Sequence, residues 1–157
     1  MTVTLRDRTE DTAAIYFRRA CVPVIQQTLP QKARTLEEAL EAFRETRKPG
    51  AKSFGRTIYM DDRYVGDIWC YGMDPSGDPQ AMVSYCVFEQ ELWGKGAATA
   101  ALRLFLQEIG ERFGLKRVGA FTFLANAGSI RVLERNGFHL QESFVEDGVE
   151  SGYYLRP

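Results

Sequence analysis

The clearest hydrophobic pattern along the chain is an apolar run that leads through glycines into a helical stripe. Residues 81–88 are almost all apolar, as in a strand that is buried on both faces. After the glycines, apolar side chains repeat at helical spacing at Ala98, Ala101, Leu102, Phe105, Ile109 and Phe113. The pattern therefore predicts a strand, a short loop and an amphipathic helix in direct succession.

The first 50 residues show the pattern of one strand and two helices. Residues 2–5 predict a short first strand, and Thr9 with two acidic residues predicts a helix that runs to about Ala20 and stops near Pro23. Apolar residues at i, i+4 and i+7 predict a second helix over 35–47.

Two strand-like runs follow, over 53–60 and 64–73, with the polar turn 61–63 between them, and 74–79 reads as a loop. After the helix that follows the glycines, we predict a strand at 118–124 and a helix at 127–135. Two last strands are predicted at 138–145 and 151–155, with a turn at 146–148 between them. The predicted order is β-α-α-β-β-β-α-β-α-β-β. This order predicts a mixed α/β fold with one twisted sheet and a single domain over 1–157.

Composition and charge exclude several classes of function. The net charge of −1 gives no general attraction to nucleic acid or to anionic membranes. Three cysteines without a CxxC pair, together with the single His139, argue against a metal site. The charged N-terminus and the lack of 18 uninterrupted apolar residues predict a cytoplasmic protein that does not span a membrane.

The glycine-rich segment has the chemistry of an anion site. Gly94 and Gly96 precede a predicted helix, whose first N–H groups and dipole favour a bound anion such as a pyrophosphate. A nucleotide P-loop is excluded because Glu89 occupies the position of its first glycine and Gly96 follows Lys95. Thr99 replaces the third glycine of a dinucleotide fingerprint. A plain strand-to-helix turn is the alternative for these two glycines alone.

Two segments of the chain resemble the signatures of the GNAT superfamily of acetyl-CoA-dependent N-acetyltransferases. Residues 84–99 are similar to its strand, cofactor loop and helix start, and 126–138 to its asparagine, helix and Gly-Phe signature. The ending 148–156 resembles the last strand of the RimJ/RimL-type branch. The likeness covers essentially the full chain, and it implies a mostly antiparallel sheet that splays open at its centre.

The resemblance implies acetyl-CoA as co-substrate and no metal. In such a site the loop N–H groups hold the pyrophosphate, the pantetheine arm lies along the strand, and a strand N–H near Val87 stabilises the thioester oxygen. The residues so assigned are Val87, Phe88, Leu92, Trp93, Gly94, Lys95, Gly96, Ala97, Ala98, Asn126, Ser129 and Arg131.

Three residues are candidates for the chemistry of acetyl transfer. Ser129 lies where this branch often has serine and is the candidate proton donor to the departing sulfur, although it also fits a helix start. Asn126 is a hydrogen-bonding candidate that equally fits a helix cap. Glu89 is a candidate general base, with a solvated loop residue as the alternative. The family's frequent tyrosine seven residues after the asparagine is here Leu133, so that position supplies no acid, and Tyr85, Tyr153 and Tyr154 are only vague substitutes.

The expected function is direct acetyl transfer to a primary amine on a small molecule or a peptide N-terminus. A non-catalytic acyl-CoA-binding domain is the alternative, and a nucleic-acid partner is disfavoured by the charge. Residues 21–30 and the final hairpin are expected to form the acceptor site, which leaves the acceptor open. A monomer or a homodimer fits these expectations.

Overall fold

A computed structural model describes all residues, 1–157, and shows seven strands in one sheet with helices on its faces. The elements are β1 (Val3–Arg6), α1 (Glu10–Arg19), α2 (Pro23–Gln26), α3 (Leu36–Thr46), β2 (Phe54–Met60), β3 (Arg63–Tyr71), β4 (Ala81–Val87), α4 (Ala97–Phe113), β5 (Val118–Phe123), α5 (Ala127–Arg135), β6 (His139–Glu146) and β7 (Val149–Arg156). A single 3₁₀ turn, Gln90–Leu92, lies between β4 and α4. The mixed α/β class is confirmed.

Polar side chains begin the helices where the sequence predicted them. Thr9 and Thr12 exchange side-chain and backbone hydrogen bonds at the start of α1, and the Thr35 hydroxyl accepts from the Glu38 N–H at the start of α3. Each such cap satisfies N–H groups that have no partner inside the helix. One element differs from the prediction, because Pro23 opens the short helix α2 rather than only ending α1. A proline fits the first position of a helix, where its missing N–H is not needed.

The sheet has the order β1-β2-β3-β4-β5-β7-β6, and every neighbouring pair is antiparallel except β4 and β5. The turn between β2 and β3 is made by Asp61 and Asp62, which both have positive φ, as a tight hairpin turn requires. The last strand, β7, lies between β5 and β6. The mostly antiparallel sheet is therefore confirmed.

The parallel pair at the centre of the sheet is open over most of its length. β4 and β5 are paired only at Ala81–Val118 and Met82–Gly119, near the start of both strands. Beyond those two pairs the residues of β4 and β5 are no longer paired, so the strands separate towards their carboxyl ends. This confirms the predicted splay. The gap lies where α5 begins and where the glycine segment, residues 93–96, leads into α4.

Two apolar clusters cover the two faces of the sheet. The larger cluster packs α4 against the strands and includes Leu102, Phe105 and Ile109, all fully buried. The smaller cluster joins α1 and α2 to β4 through Ile25, Cys86 and other side chains. No helix has both the length and the apolar content needed to cross a membrane.

Candidate active site

A cleft of about 500 Å³ occupies the gap between β4 and β5. Its walls come from the end of α2, both central strands, the glycine segment with the start of α4, and the first turns of α5. One end therefore meets a helix N-terminus, and the other end meets the face of the sheet that carries α1 and α2.

The glycine segment presents unpartnered backbone N–H groups to one end of the cleft. Gly94 and Gly96 have φ of 75° and 88°, in the left-handed region that residues other than glycine adopt only at an energetic cost. Gly96 is the N-cap of α4, and no side chain caps this helix. The first-turn N–H groups of a 17-residue helix are thus free to bind an anion.

The end of β4 offers one backbone N–H to the gap. Directly after β4, the Phe88 N–H donates to the carbonyl of Val65 in β3 at 2.9 Å, so the backbone N–H of Phe88 faces β3. By the alternation of an antiparallel ladder, the N–H and C=O of Val87 point away from β3 and towards β5. The Val87 carbonyl accepts from Nε1 of Trp93 at 2.8 Å, which leaves its N–H as the open group.

The start of α5 brings two candidate residues and one strand residue together. The Asn126 Oδ1 accepts from the Ser129 N–H at 3.1 Å and caps the helix, while its Nδ2 has no protein partner. The Tyr85 hydroxyl lies 3.0 Å from Ser129 Oγ and 3.3 Å from the Ser129 carbonyl oxygen. Burial raises the pKa of Tyr85 to about 12, so this phenol is protonated at neutral pH.

Most of the residues predicted for the cofactor line this cleft. They are Val87, Leu92, Trp93, Gly94, Gly96, Ala97, Ala98, Asn126, Ser129 and Arg131. Phe88 and Lys95 do not line it. Phe88 is only 5% exposed and packs against Tyr16 and Tyr64, and its N–H is used by β3.

The candidate general base Glu89 lies outside the cleft. Its carboxylate pairs with Arg19 at 3.1 Å and with Arg63, and it does not line the cleft. The Arg63 guanidinium holds the pKa of Glu89 below its usual range. A carboxylate held ionised by two cations is a weak proton acceptor, so this geometry does not support Glu89 as the general base.

Tyr85, named from the sequence only as a vague substitute, lines the cleft, and so do Arg135 and Phe121, which the sequence did not single out. Tyr85 and Val87 are two residues apart in β4, so their side chains lie on the same face of the strand, and a cleft assigned to Val87 would also have included Tyr85. Cys86 lies on the cleft wall, but burial raises the pKa of its thiol to about 12, so it is not a thiolate nucleophile. No three His, Cys, Asp or Glu side chains are grouped to hold a metal ion.

The splayed sheet with a glycine-capped helix at its gap defines an acyl-CoA-type transferase fold. The model of the acetyltransferase (GNAT) domain family matches residues 2–139. The chain therefore belongs to this family, as a domain of the N-acetyltransferase type. It is 33% identical over 86 residues to the probable N-acetyltransferase YjcK of Bacillus subtilis (strain 168). That match covers 55% of this chain and 47% of the relative, so it spans about half the length of the curated relative.

Solved structures of three different acetyltransferases share the fold. RimL, a ribosomal L7/L12 alpha-N-protein acetyltransferase, aligns with 99% of this chain and 90% of its own at 18% identity and a TM-score of 0.81. The spermidine N-acetyltransferase of Vibrio cholerae in complex with CoA and spermine aligns with 98% of this chain and 94% of its own, at 13% identity and a TM-score of 0.85. The aminoglycoside acetyltransferase AAC(6')-Ib in complex with coenzyme A aligns with 98% of this chain and 94% of its own, at 18% identity and a TM-score of 0.79.

Proposed function

We propose that the protein transfers an acetyl group from acetyl-CoA directly to a primary amine. The observation that carries this proposal is the open β4–β5 gap, which joins the uncapped start of α4 to the Tyr85–Ser129 pair. The free N–H groups after Gly96 suit the pyrophosphate, and the basic side chains of Arg131 and Arg135 on the cleft wall suit phosphate charge.

The residues along the gap supply two of the groups that acetyl transfer needs. The Val87 N–H is the donor proposed to stabilise the oxygen of the thioester as negative charge builds on it. The Ser129 hydroxyl at the start of α5 is the proposed proton donor to the sulfur that leaves. Acetyl-CoA, when bound, supplies the thioester that makes the acetyl group reactive.

The acceptor end of the cleft supports an amine on an apolar body. Its walls are Ile25 and Leu29 from the α2 region and Phe121 and Phe123 from β5, and Phe121 is 57% exposed. The only charged side chains of the cleft are Arg131 and Arg135. An acceptor with several ammonium groups finds no opposite charge on these walls, whereas a single amine beside an apolar side chain matches them.

The protonation of the acceptor also favours a peptide N-terminus. No lining side chain is placed to remove a proton from an ammonium group, so the amine must reach the site in its neutral form. An α-amino group has a pKa of roughly 8 and an alkyl amine such as lysine roughly 10.4, so the neutral fraction at pH 7.5 is over a hundredfold larger for the α-amine. We therefore propose a peptide α-amine, the acceptor type of the RimJ/RimL-type branch, ahead of a polyamine.

An acceptor panel tests the proposal, with release of the CoA thiol as the readout. The matched pair is a tetrapeptide with an apolar first residue and a free α-amine, and the same peptide with its N-terminus blocked and a lysine inside. Spermidine and kanamycin complete the panel. We expect turnover of the free peptide alone. Turnover of spermidine or kanamycin with none of the peptide would overturn the assignment of the acceptor. Binding of acetyl-CoA with no turnover across a broad amine panel would favour a non-catalytic acyl-CoA-binding domain.

A further inference from the structure

The Tyr85 hydroxyl has Ser129 as its only hydrogen-bonding residue in the protein. It lies 3.0 Å from the Ser129 hydroxyl oxygen and 3.3 Å from the Ser129 carbonyl oxygen. Tyr85 belongs to β4 and Ser129 to the first turn of α5, which are 44 residues apart in the chain. Both residues line the cleft, so this contact lies beside the space where the reaction is proposed to occur.

We propose that Tyr85 is a positioning residue that orients Ser129 and renews its proton during acetyl transfer. The inference rests on the proposed function. The phenol has one hydrogen, and the contact with the Ser129 hydroxyl at 3.0 Å is shorter than the contact in which it donates to the Ser129 carbonyl at 3.3 Å. When that hydrogen goes to Ser129 Oγ, the serine has used one acceptor position, and its own hydrogen is directed away from Tyr85. Because both side chains line the cleft, that hydrogen is available to a group bound there.

The proton transfer balances with these two groups and the acceptor. As the C–S bond breaks, the Ser129 hydroxyl gives its proton to the CoA sulfur and the Tyr85 hydroxyl gives its proton to Ser129 Oγ. The acceptor nitrogen loses one proton when it becomes an amide nitrogen, and that proton restores the Tyr85 hydroxyl through the solvent in the cleft. The net reaction converts an amine and acetyl-CoA into an amide and the CoA thiol.

A phenol is a better final donor than a serine hydroxyl, because its conjugate base is delocalised and an alkoxide is not. The relay therefore avoids a serine alkoxide next to the leaving sulfur. It also gives a physical role to a buried tyrosine in a chain that has Leu133, fully buried in the core, at the position of the family's usual tyrosine.

The test compares Tyr85→Phe with Ser129→Ala and the double variant. Tyr59→Phe is the matched control, because Tyr59 is a half-buried strand tyrosine that does not line the cleft, and its hydroxyl does not contact Ser129. The readouts are kcat and KM with the free-α-amine tetrapeptide, and the Kd of acetyl-CoA by calorimetry. Far-UV circular dichroism and the melting temperature show that each variant is folded.

We expect Tyr85→Phe to lower kcat by about tenfold or more with little change in the Kd of acetyl-CoA. The double variant should be no slower than Ser129→Ala by more than about twofold, because the two residues act as one unit. Tyr59→Phe should stay within about twofold of the wild type.

Two results would overturn the positioning role. A kcat for Tyr85→Phe within twofold of wild type, with only a lower melting temperature, would reduce the contact to a structural tie between β4 and α5. Multiplied losses in the double variant would mean that the residues act independently. If the wild type itself neither bound nor turned over acetyl-CoA, the proposed function would fail, and the role of Tyr85 would fail with it. Failure of the Tyr85 role alone is recognised by an active wild type with one of the two results above.

Discussion

The indole nitrogen of Trp93 donates a 2.8 Å hydrogen bond to the carbonyl oxygen of Val87 and so ties the glycine segment to the end of β4. This bond occupies the Val87 carbonyl oxygen, which points towards the gap, and leaves the Val87 N–H without a partner. An oxyanion is stabilised by hydrogen-bond donors, so the bond both fixes the loop and leaves a donor, rather than an acceptor, exposed at the end of the strand.

Replacing Trp93 by Phe should weaken acetyl-CoA binding. The variant loses one hydrogen bond worth about 1 kcal/mol and frees the loop, so we expect the Kd to rise roughly fivefold to tenfold. Gln90→Ala, an exposed change in the neighbouring 3₁₀ turn, serves as the control. Calorimetry would contradict this account if both variants bound acetyl-CoA with the wild-type Kd.

A carboxylate at Gly94 should abolish acetyl-CoA binding, because it would place a side chain and a negative charge at the proposed pyrophosphate site. Gly50→Glu is the matched control, since Gly50 has φ of 77° against 75° for Gly94 and both have open space where a Cβ would lie. The two variants carry the same backbone strain, so a difference in Kd measures the ligand site. Equal binding by both variants would refute the assignment of the loop.

The two roles of Asn126 can be separated by substitution. Asn126→Ser keeps an oxygen that accepts from the Ser129 N–H and removes the Nδ2 donors, whereas Asn126→Ala also removes the cap. We expect the alanine variant to lose about 1 kcal/mol of unfolding free energy and the serine variant much less. Both should bind acetyl-CoA more weakly. Wild-type affinity in the serine variant would show that Asn126 is a cap and nothing more.

Asp67 should make stability depend on pH in a direction unusual for an acid. Its side chain is 4% exposed and pairs with Arg8 at 3.0 Å, and burial raises its pKa to about 6. Because the folded state binds this proton more tightly than the unfolded chain, the contribution is present below pH 4 and is lost as pH rises through 6. The unfolding free energy of wild type minus that of Asp67→Asn should fall by about 2–3 kcal/mol from pH 4 to 7. Urea titrations that give a constant difference would contradict the raised pKa.

Glu89→Gln should leave catalysis nearly intact. The carboxylate pairs with Arg19 and Arg63 outside the cleft, so its loss removes no proton acceptor from the proposed site. We expect kcat to change less than about threefold and its dependence on pH to keep its shape. Loss of the alkaline plateau in the kcat profile of this variant would restore Glu89 as the base.

Local signals in the sequence were enough for most of the elements. The range 127–135 predicted for α5 agrees with the structure, because an asparagine cap and an Asn-Gly ending mark its limits. The splay between β4 and β5 was predicted through the family resemblance. The sequence does not predict the short helix α2, because Pro23, which marks the end of α1, can equally occupy the first position of a new helix.

Contacts between distant segments were beyond the sequence. Tyr85 meets Ser129 across 44 residues, and Glu89 meets Arg19 across 70, and no local pattern encodes either distance. The insertion of β7 between β5 and β6 is likewise a property of the whole sheet. The candidate site was therefore predictable where it is a local turn, and unpredictable where it depends on how strands and helices meet.

The central claim, that acetyl-CoA occupies the gap between β4 and β5, is tested most directly by calorimetric titration of the wild-type protein. ADP and NAD, which carry a pyrophosphate without the pantetheine arm, are the controls. We predict one acetyl-CoA bound per chain at micromolar Kd, and ADP and NAD bound at least about tenfold more weakly. No binding of acetyl-CoA, or equal binding of all three compounds, would contradict the account and leave the glycine segment as a structural turn.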